Sequence, residues 1–92
     1  MRLRLTRPAS RQLEAVLQHI AKHHPQGAEN VRDRLRSVMN VLVDHPFAGR
    51  VTARPQVRRI IALPYPHAIT YTVADGDVVL LGIRHTARRP QG

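Results

Sequence analysis

The sequence predicts an α+β domain of order β-α-α-β-β-β, a twisted and largely antiparallel sheet with an N-terminal helical hairpin packed on one face. Three observations carry this. Residues 9–42 hold two apolar stripes at helical spacing, and residues 57–84 hold three β-rich runs separated by turn residues. Residues 2–6 alternate at the two-residue period of a strand.

The first strand reads Arg2, Leu3, Arg4, Leu5, Thr6, with one apolar and one basic face. From residues 6–10 the pattern shifts to Ala9, Leu13, Val16, Leu17 and Ile20, one stripe of a helix whose first turn accommodates Pro8. That helix is expected to end near His24, because Pro25 disfavours a helical residue before it and Gly27 supplies a turn. A second helix opens about residues 26–28 and carries Ala28, Val31, Leu35, Val38 and Leu42, with Arg32, Asp33, Arg34 and Arg36 on its other side. The two stripes pack as a helical hairpin. His45-Pro46 ends the second helix, and residues 47–55 show no period and read as a connection.

Three strands follow, at residues 57–63, 68–74 and 78–84. Ile69, Tyr71 and Val73 alternate with Thr70 and Thr72, which assigns Tyr71 to the core. The unbroken run Val78-Val79-Leu80-Leu81 predicts a strand flanked within the sheet or covered on both sides. Asp75-Gly76-Asp77 is a hairpin signal, since tight turns need positive φ, and Pro64-Tyr65-Pro66 reads as a looser corner.

With 92 residues and 10.4 kDa the chain has room for one domain, 1–92, burying roughly 64% of its unfolded surface. A hydrophobic content of 42% excludes a disordered basic tail. No apolar run approaches the length of a membrane span and the first residues lack a signal-peptide core, so a cytoplasmic protein with no membrane partner is expected. The absence of cysteine excludes a disulfide framework. Fifteen Lys+Arg against six Asp+Glu give a net charge of +9, almost all of it arginine, since Lys22 is the sole lysine. Such a field speeds encounter with an anionic partner, nucleic acid or an acidic protein. With only Phe47, Tyr65 and Tyr71 as aromatics, a single-strand binder that stacks bases is excluded.

Most catalytic chemistries lack their residues. His19 and His23 stand four apart on the first helix with His24 adjacent, but Ile20 and Ala21 stand between them instead of a His-Glu-x-x-His glutamate. No metal site and no cofactor are expected. Ser10 and Ser37 lie outside any Gly-x-Ser-x-Gly turn, glycine-rich phosphate loops are missing, and the six acids are scattered. A basic cluster near the C-terminal sheet remains. Arg58 and Arg59 are adjacent on a strand, so one of them lines the open face of the sheet. The last strand runs into Arg84-His85-Thr86-Ala87-Arg88-Arg89. Arginines of this kind hold a phosphodiester and stabilise its transition-state charge, and a histidine exchanges a proton near neutrality. The plainer reading is a binding patch.

The chain resembles the RelE/ParE superfamily of small bacterial toxins from type II toxin-antitoxin pairs. The residues concerned are the first helix with Ala9 and Leu13, His45-Pro46-x-x-Gly49-Arg50, the Val57-Arg58-Arg59 strand start, Ile69-Thr70-Tyr71, and the ending Ile83-Arg84-His85-Thr86-Ala87-Arg88-Arg89-Pro90. The resemblance implies the same β-α-α-β-β-β fold and a cognate acidic antitoxin that neutralises the toxin as a hetero-oligomer. RelE-like members cleave mRNA on the ribosome, whereas ParE-like members poison DNA gyrase without nucleotide chemistry. Arg58 or Arg59 matches the strand arginine of the nuclease branch, and Arg84 or His85 its basic residue on the last strand. Under that reading Arg58, Arg59, Arg84, His85 and Arg88 are the catalytic candidates. The sequence departs from that branch at Thr86, where some nuclease members have tyrosine, and at Val51-Thr52-Ala53-Arg54, where others have a lysine-rich loop. The Arg-His-x-x-Arg-Arg-Pro ending is similar to the ParE side.

The expected function is therefore that of a plasmid-stabilisation-type toxin acting on DNA gyrase, with a ribosome-dependent mRNA endoribonuclease as the alternative. Arg4, Arg50, Arg58, Arg59, His85, Arg88 and Arg89 are the expected contacts to target or antitoxin. An acidic antitoxin tail is expected along the groove between helices and sheet, with its carboxylates on the arginines. A second alternative is a non-toxic nucleic-acid-binding module using Arg32, Arg34 and Arg36, although only Asn30, Ser37 and Asn40 there offer base-reading side chains.

Overall fold

Leu3 and Leu5 lie against the core while Arg4 between them is exposed, the division that strand alternation dictates. They belong to β1 (Leu3–Leu5), the first element of a computed structural model that describes residues 1–87. Then follow α1 (Arg7–Ala21), α2 (Pro25–Asp44), β2 (Arg50–Val51), β3 (Val57–Ile61), β4 (His67–Ala74) and β5 (Asp77–His85). The five strands form one sheet in the order β1-β5-β4-β3-β2. All pairings are antiparallel except β1 with β5, which is parallel.

The expected order of elements holds, with one addition. The connection at residues 47–55 contains β2, two residues paired with Arg58 and Arg59, too short to show a period. The first helix stops at Ala21, short of His24, and the second starts at Pro25 itself, whose missing N–H costs nothing at a helix start. Thr6 caps α1, its hydroxyl accepting from the Ala9 amide at 3.2 Å.

Val31, Leu35, Val38 and Leu42 of α2 and Ala9 and Leu17 of α1 bury one stripe each against Ile69, Tyr71, Val78, Leu80 and Ile83 of the sheet. In β5 both Leu80 and Ile83 are buried, although their odd spacing would put them on opposite faces of a regular strand. A β-bulge reconciles them. Tyr71 pairs with Leu80 and Thr70 with Gly82, so Leu81 is the extra residue that reverses the facing of everything after it. The two-residue turn between β4 and β5 is Asp75-Gly76, both with positive φ as the hairpin signal requires.

At the bulge β1 ends and the chain turns into α1. The Thr6 amide donates to the Leu80 carbonyl at 3.0 Å, the last backbone–backbone bond on this side of β5. Beyond it, the Gln12 side chain of α1 takes over the strand edge, its Oε1 accepting from the Ile83 amide at 2.8 Å.

Candidate functional site

Pairing register fixes which side chains share the face of the sheet turned away from the helices. Arg50 lies opposite Arg59, Arg59 opposite Thr70, and Thr70 opposite Gly82 across β2, β3, β4 and β5. Ala68 and Arg84 form the next row. Since cross-strand partners point to the same side, this face carries Arg50, Arg59 and Arg84. The bulge at Leu81 puts Arg84 there, because in an unbulged strand Arg84, four residues on, would share the helix-facing side with Leu80.

Between these strands and the loop before β3 lies a cleft of about 370 Å³. Arg54, Arg59 and Arg84 line it, with Thr70, Gly82 and Gln12. A Cβ at Gly82 would stand 2.9 Å from Gln12 Oε1 and 3.3 Å from Thr70 Oγ1, so a larger residue there would displace the Gln12 side chain. Arg54 is delivered by a small loop that closes on itself. Thr52 Oγ1 accepts from the Arg54 amide at 3.2 Å and donates to the Val57 carbonyl at 2.9 Å. Among the described residues no carboxylate lines the cleft, and the one ion pair lies elsewhere. Three unpaired guanidinium forks beside a hydroxyl make an anion-binding surface suited to phosphate or carboxylate.

The remaining expected site residues divide. Arg58 faces the opposite side of β3, where its Nη1 donates to the carbonyls of Gly49 at 2.8 Å and Phe47 at 3.3 Å. Its guanidinium also covers the Phe47 ring at 5.1 Å, so it secures the 47–50 segment rather than the cleft. Arg4 pairs with Asp77 at 3.1 Å, while the Arg2 amide donates to the same carboxylate at 3.2 Å, fastening β1 to β5. Arg50 is exposed beside Arg59 at the sheet edge. Arg88 and Arg89 lie outside the described residues.

His85 stands at the end of β5 and borders two clefts. Its register partner is His67, and the two rings meet edge to face with centroids 5.4 Å apart. His85 Nδ1 accepts from the Ala87 amide at 3.1 Å, which leaves Nε2 as its open nitrogen. His67 is buried at 6% exposure, and its Nδ1 has no hydrogen-bond partner. Burial, and secondarily the charge of His85, push the His67 pKa below its ordinary value of 6.5.

Tyr71 is fully buried, as its alternation predicts, and its hydroxyl has a structural duty: it accepts from the Gly49 amide at 2.8 Å. His19, in the last turn of α1, and His23, in the turn after it, stand with ring centroids 6.3 Å apart. Among the described residues no three His, Asp or Glu side chains gather to share a metal ion. Among the described residues no helix is long and apolar enough to cross a membrane. Sequence reading did not pick Arg54, Gln12 or Thr70 as cleft residues, nor His67 as a buried polar group. The one available signal was Arg54, a positive charge in an aperiodic connection.

Residues 3–90 match the family model described as the ParE toxin of the type II toxin-antitoxin system parDE. Toxin RelE2 of Caulobacter vibrioides is 36% identical over 76 residues, 83% of this chain and 84% of that protein. The chromosomal ParDE toxin-antitoxin system of P. aeruginosa contains a chain that superposes with a TM-score of 0.81 at 25% identity, covering 92% of this chain and 95% of that one. The isolated E. coli RelE toxin shares the fold at a TM-score of 0.61 and 15% identity, over 96% of this chain and 86% of its own.

Proposed function

The chain belongs to the ParE toxin family of type II toxin-antitoxin systems, and on that premise we propose that it arrests growth by binding DNA gyrase and is held silent by a cognate acidic antitoxin. The observation that supports gyrase binding over nucleotide chemistry is the make-up of the outer cleft. Arg54, Arg59 and Arg84 supply charge and forked donors, but among the described residues the cleft lacks an acid–base pair. Its one bordering imidazole, His85, is paired in register with His67 on the helix side of the sheet. An inhibitor needs shape and charge, which the cleft has.

A supercoiling assay with purified gyrase tests this. The reading expects the purified chain to block supercoiling or trap cleaved DNA, with Arg59→Ala and Arg84→Ala weakening the effect about tenfold or more, the loss of a charge-assisted contact or two. Unchanged supercoiling at excess chain refutes it.

A ribosome-dependent endoribonuclease is the second reading. It is favoured by the placement of Arg59 and Arg84 on one face with His85 Nε2 open at the rim, and by the relative named RelE2. There Arg54, Arg59 and Arg84 hold the scissile phosphate and His85 moves the proton, so His85→Ala abolishes toxicity. Under the gyrase reading His85→Ala leaves it largely intact. The antitoxin part of the proposal expects that co-expression with an acidic neighbouring gene product raises the solubility of the toxin, and equal solubility counts against it.

A further inference from the structure

On the helix side of β5 a second groove of about 990 Å³ runs between α1 and the strand end. Val16, Ile20 and Ile83 give it an apolar floor, while His19 of α1 and Arg84 and His85 of β5 stand at its rim. His67 of β4 also faces it. Among the described residues every ionisable group lining the groove is therefore a cation or becomes one on protonation, and none is a carboxylate. The buried Nδ1 of His67 is the sole buried side-chain polar atom among the described residues left without a hydrogen-bond partner. Such an atom is costly unless something completes it.

We propose that this groove seats an acidic side chain flanked by an apolar one, delivered by a peptide segment, with the carboxylate taken by the His67–His85 pair and one proton bound in the process. The apolar neighbour covers Val16, Ile20 and Ile83, and the carboxylate supplies the negative charge that the lining lacks. In the free protein His67 is neutral at neutral pH, because burial and the charge of His85 oppose its protonation. A carboxylate beside the pair reverses that preference. Docking takes one proton from solvent, giving imidazolium against carboxylate. On the reading given above the segment belongs to the antitoxin, and the complex tightens as pH falls.

The test titrates the purified full chain with two capped tripeptides, Leu-Glu-Leu and Leu-Gln-Leu, while NMR follows the Ile83 and Val16 methyls and the ring signals of His67. The glutamate peptide is expected to shift the Ile83 methyls and move the His67 titration to higher pH. Its affinity is expected to rise at least about fivefold between about pH 7.5 and pH 6.0, against a ceiling of roughly thirtyfold for one proton. The glutamine peptide is expected to bind weakly and without pH dependence. In a His67→Phe, His85→Asn variant the pH dependence is expected to fall below about twofold, whereas His23→Gln, outside the groove, retains it. Equal binding of both peptides, or no shift at Ile83, overturns the proposal, and the peptide comparison needs only the unmodified protein. Because neither gyrase nor growth enters the measurement, a seated glutamate peptide beside an inert supercoiling assay separates failure of the target reading from failure of this one.

Discussion

Gln12 of α1 substitutes for a missing strand: its Oε1 takes the Ile83 amide at 2.8 Å where β1 has left the edge of β5. An edge amide without such a partner is open to water and to other chains. The same residue also stands in the wall between the outer cleft and the α1–β5 groove, with Arg84 and His85.

Gln12→Ala is therefore expected to speed hydrogen exchange at the Ile83 amide about fivefold or more, the loss of a bond worth about 1 kcal/mol, with the α2 amides unchanged. Native-state exchange by NMR reads this residue by residue, and an Ile83 amide that exchanges as in the parent protein contradicts the assignment.

Gly49 and Tyr71 form the second testable contact. A Cβ at 49 would stand 2.6 Å from the Tyr71 hydroxyl and 3.0 Å from the Arg59 carbonyl. Gly49→Ala is expected to cost about 1–3 kcal/mol by overpacking. Tyr71→Phe, which strands the Gly49 amide, is expected to cost about 1–2 kcal/mol. Urea denaturation of both variants and the double variant checks the coupling: without the hydroxyl the alanine fits better, so the combined loss falls short of the sum.

The buried His67 makes stability depend on pH. Its folded pKa lies below the ordinary 6.5, so the unfolded chain binds more protons than the folded one as pH drops through that value. Its contribution is fully present above 6.5 and is lost as pH falls toward and through the folded pKa. Thermal melts are expected to show Tm declining below that value in the parent protein, and declining less in His67→Phe, compared at equal ionic strength.

Arginines at different places predict different phenotypes. Arg54→Ala, Arg59→Ala and Arg84→Ala remove unpaired cleft charges and are expected to lower growth inhibition with Tm nearly unchanged. Arg58→Ala loses two carbonyl contacts and its place over Phe47, and is expected to lower Tm. Arg4→Ala breaks a half-exposed pair with Asp77, worth about 1 kcal/mol or less. Parallel growth and melting measurements separate the three classes.

The fold was legible wherever a local rule sufficed. The helical stripes, the Asp75-Gly76 turn, the core placement of Tyr71 and the flanked strand at Val78–Leu81 are each written in spacing or residue type. What depended on register was not. Alternation showed that one of Arg58 and Arg59 faces outward, but only pairing with Thr70 selects Arg59. The bulge at Leu81 leaves no mark in a run of apolar residues, yet it decides that Arg84 faces the cleft. His85 read as one of a cluster of basic residues, although its register partner is His67, eighteen positions away in sequence. The two-residue β2 was hidden in an aperiodic connection for the same reason: edge pairing is a tertiary event.

Pulse labelling of DNA and protein synthesis in one bacterial culture after induction of the chain separates gyrase inhibition from mRNA cleavage. Gyrase inhibition predicts that DNA synthesis stops first, with filamentation and DNA damage, while translation continues. An immediate halt in translation with codon-positioned cuts in mRNA and continuing DNA synthesis contradicts it, and transfers Arg59, Arg84 and His85 from binding to catalysis.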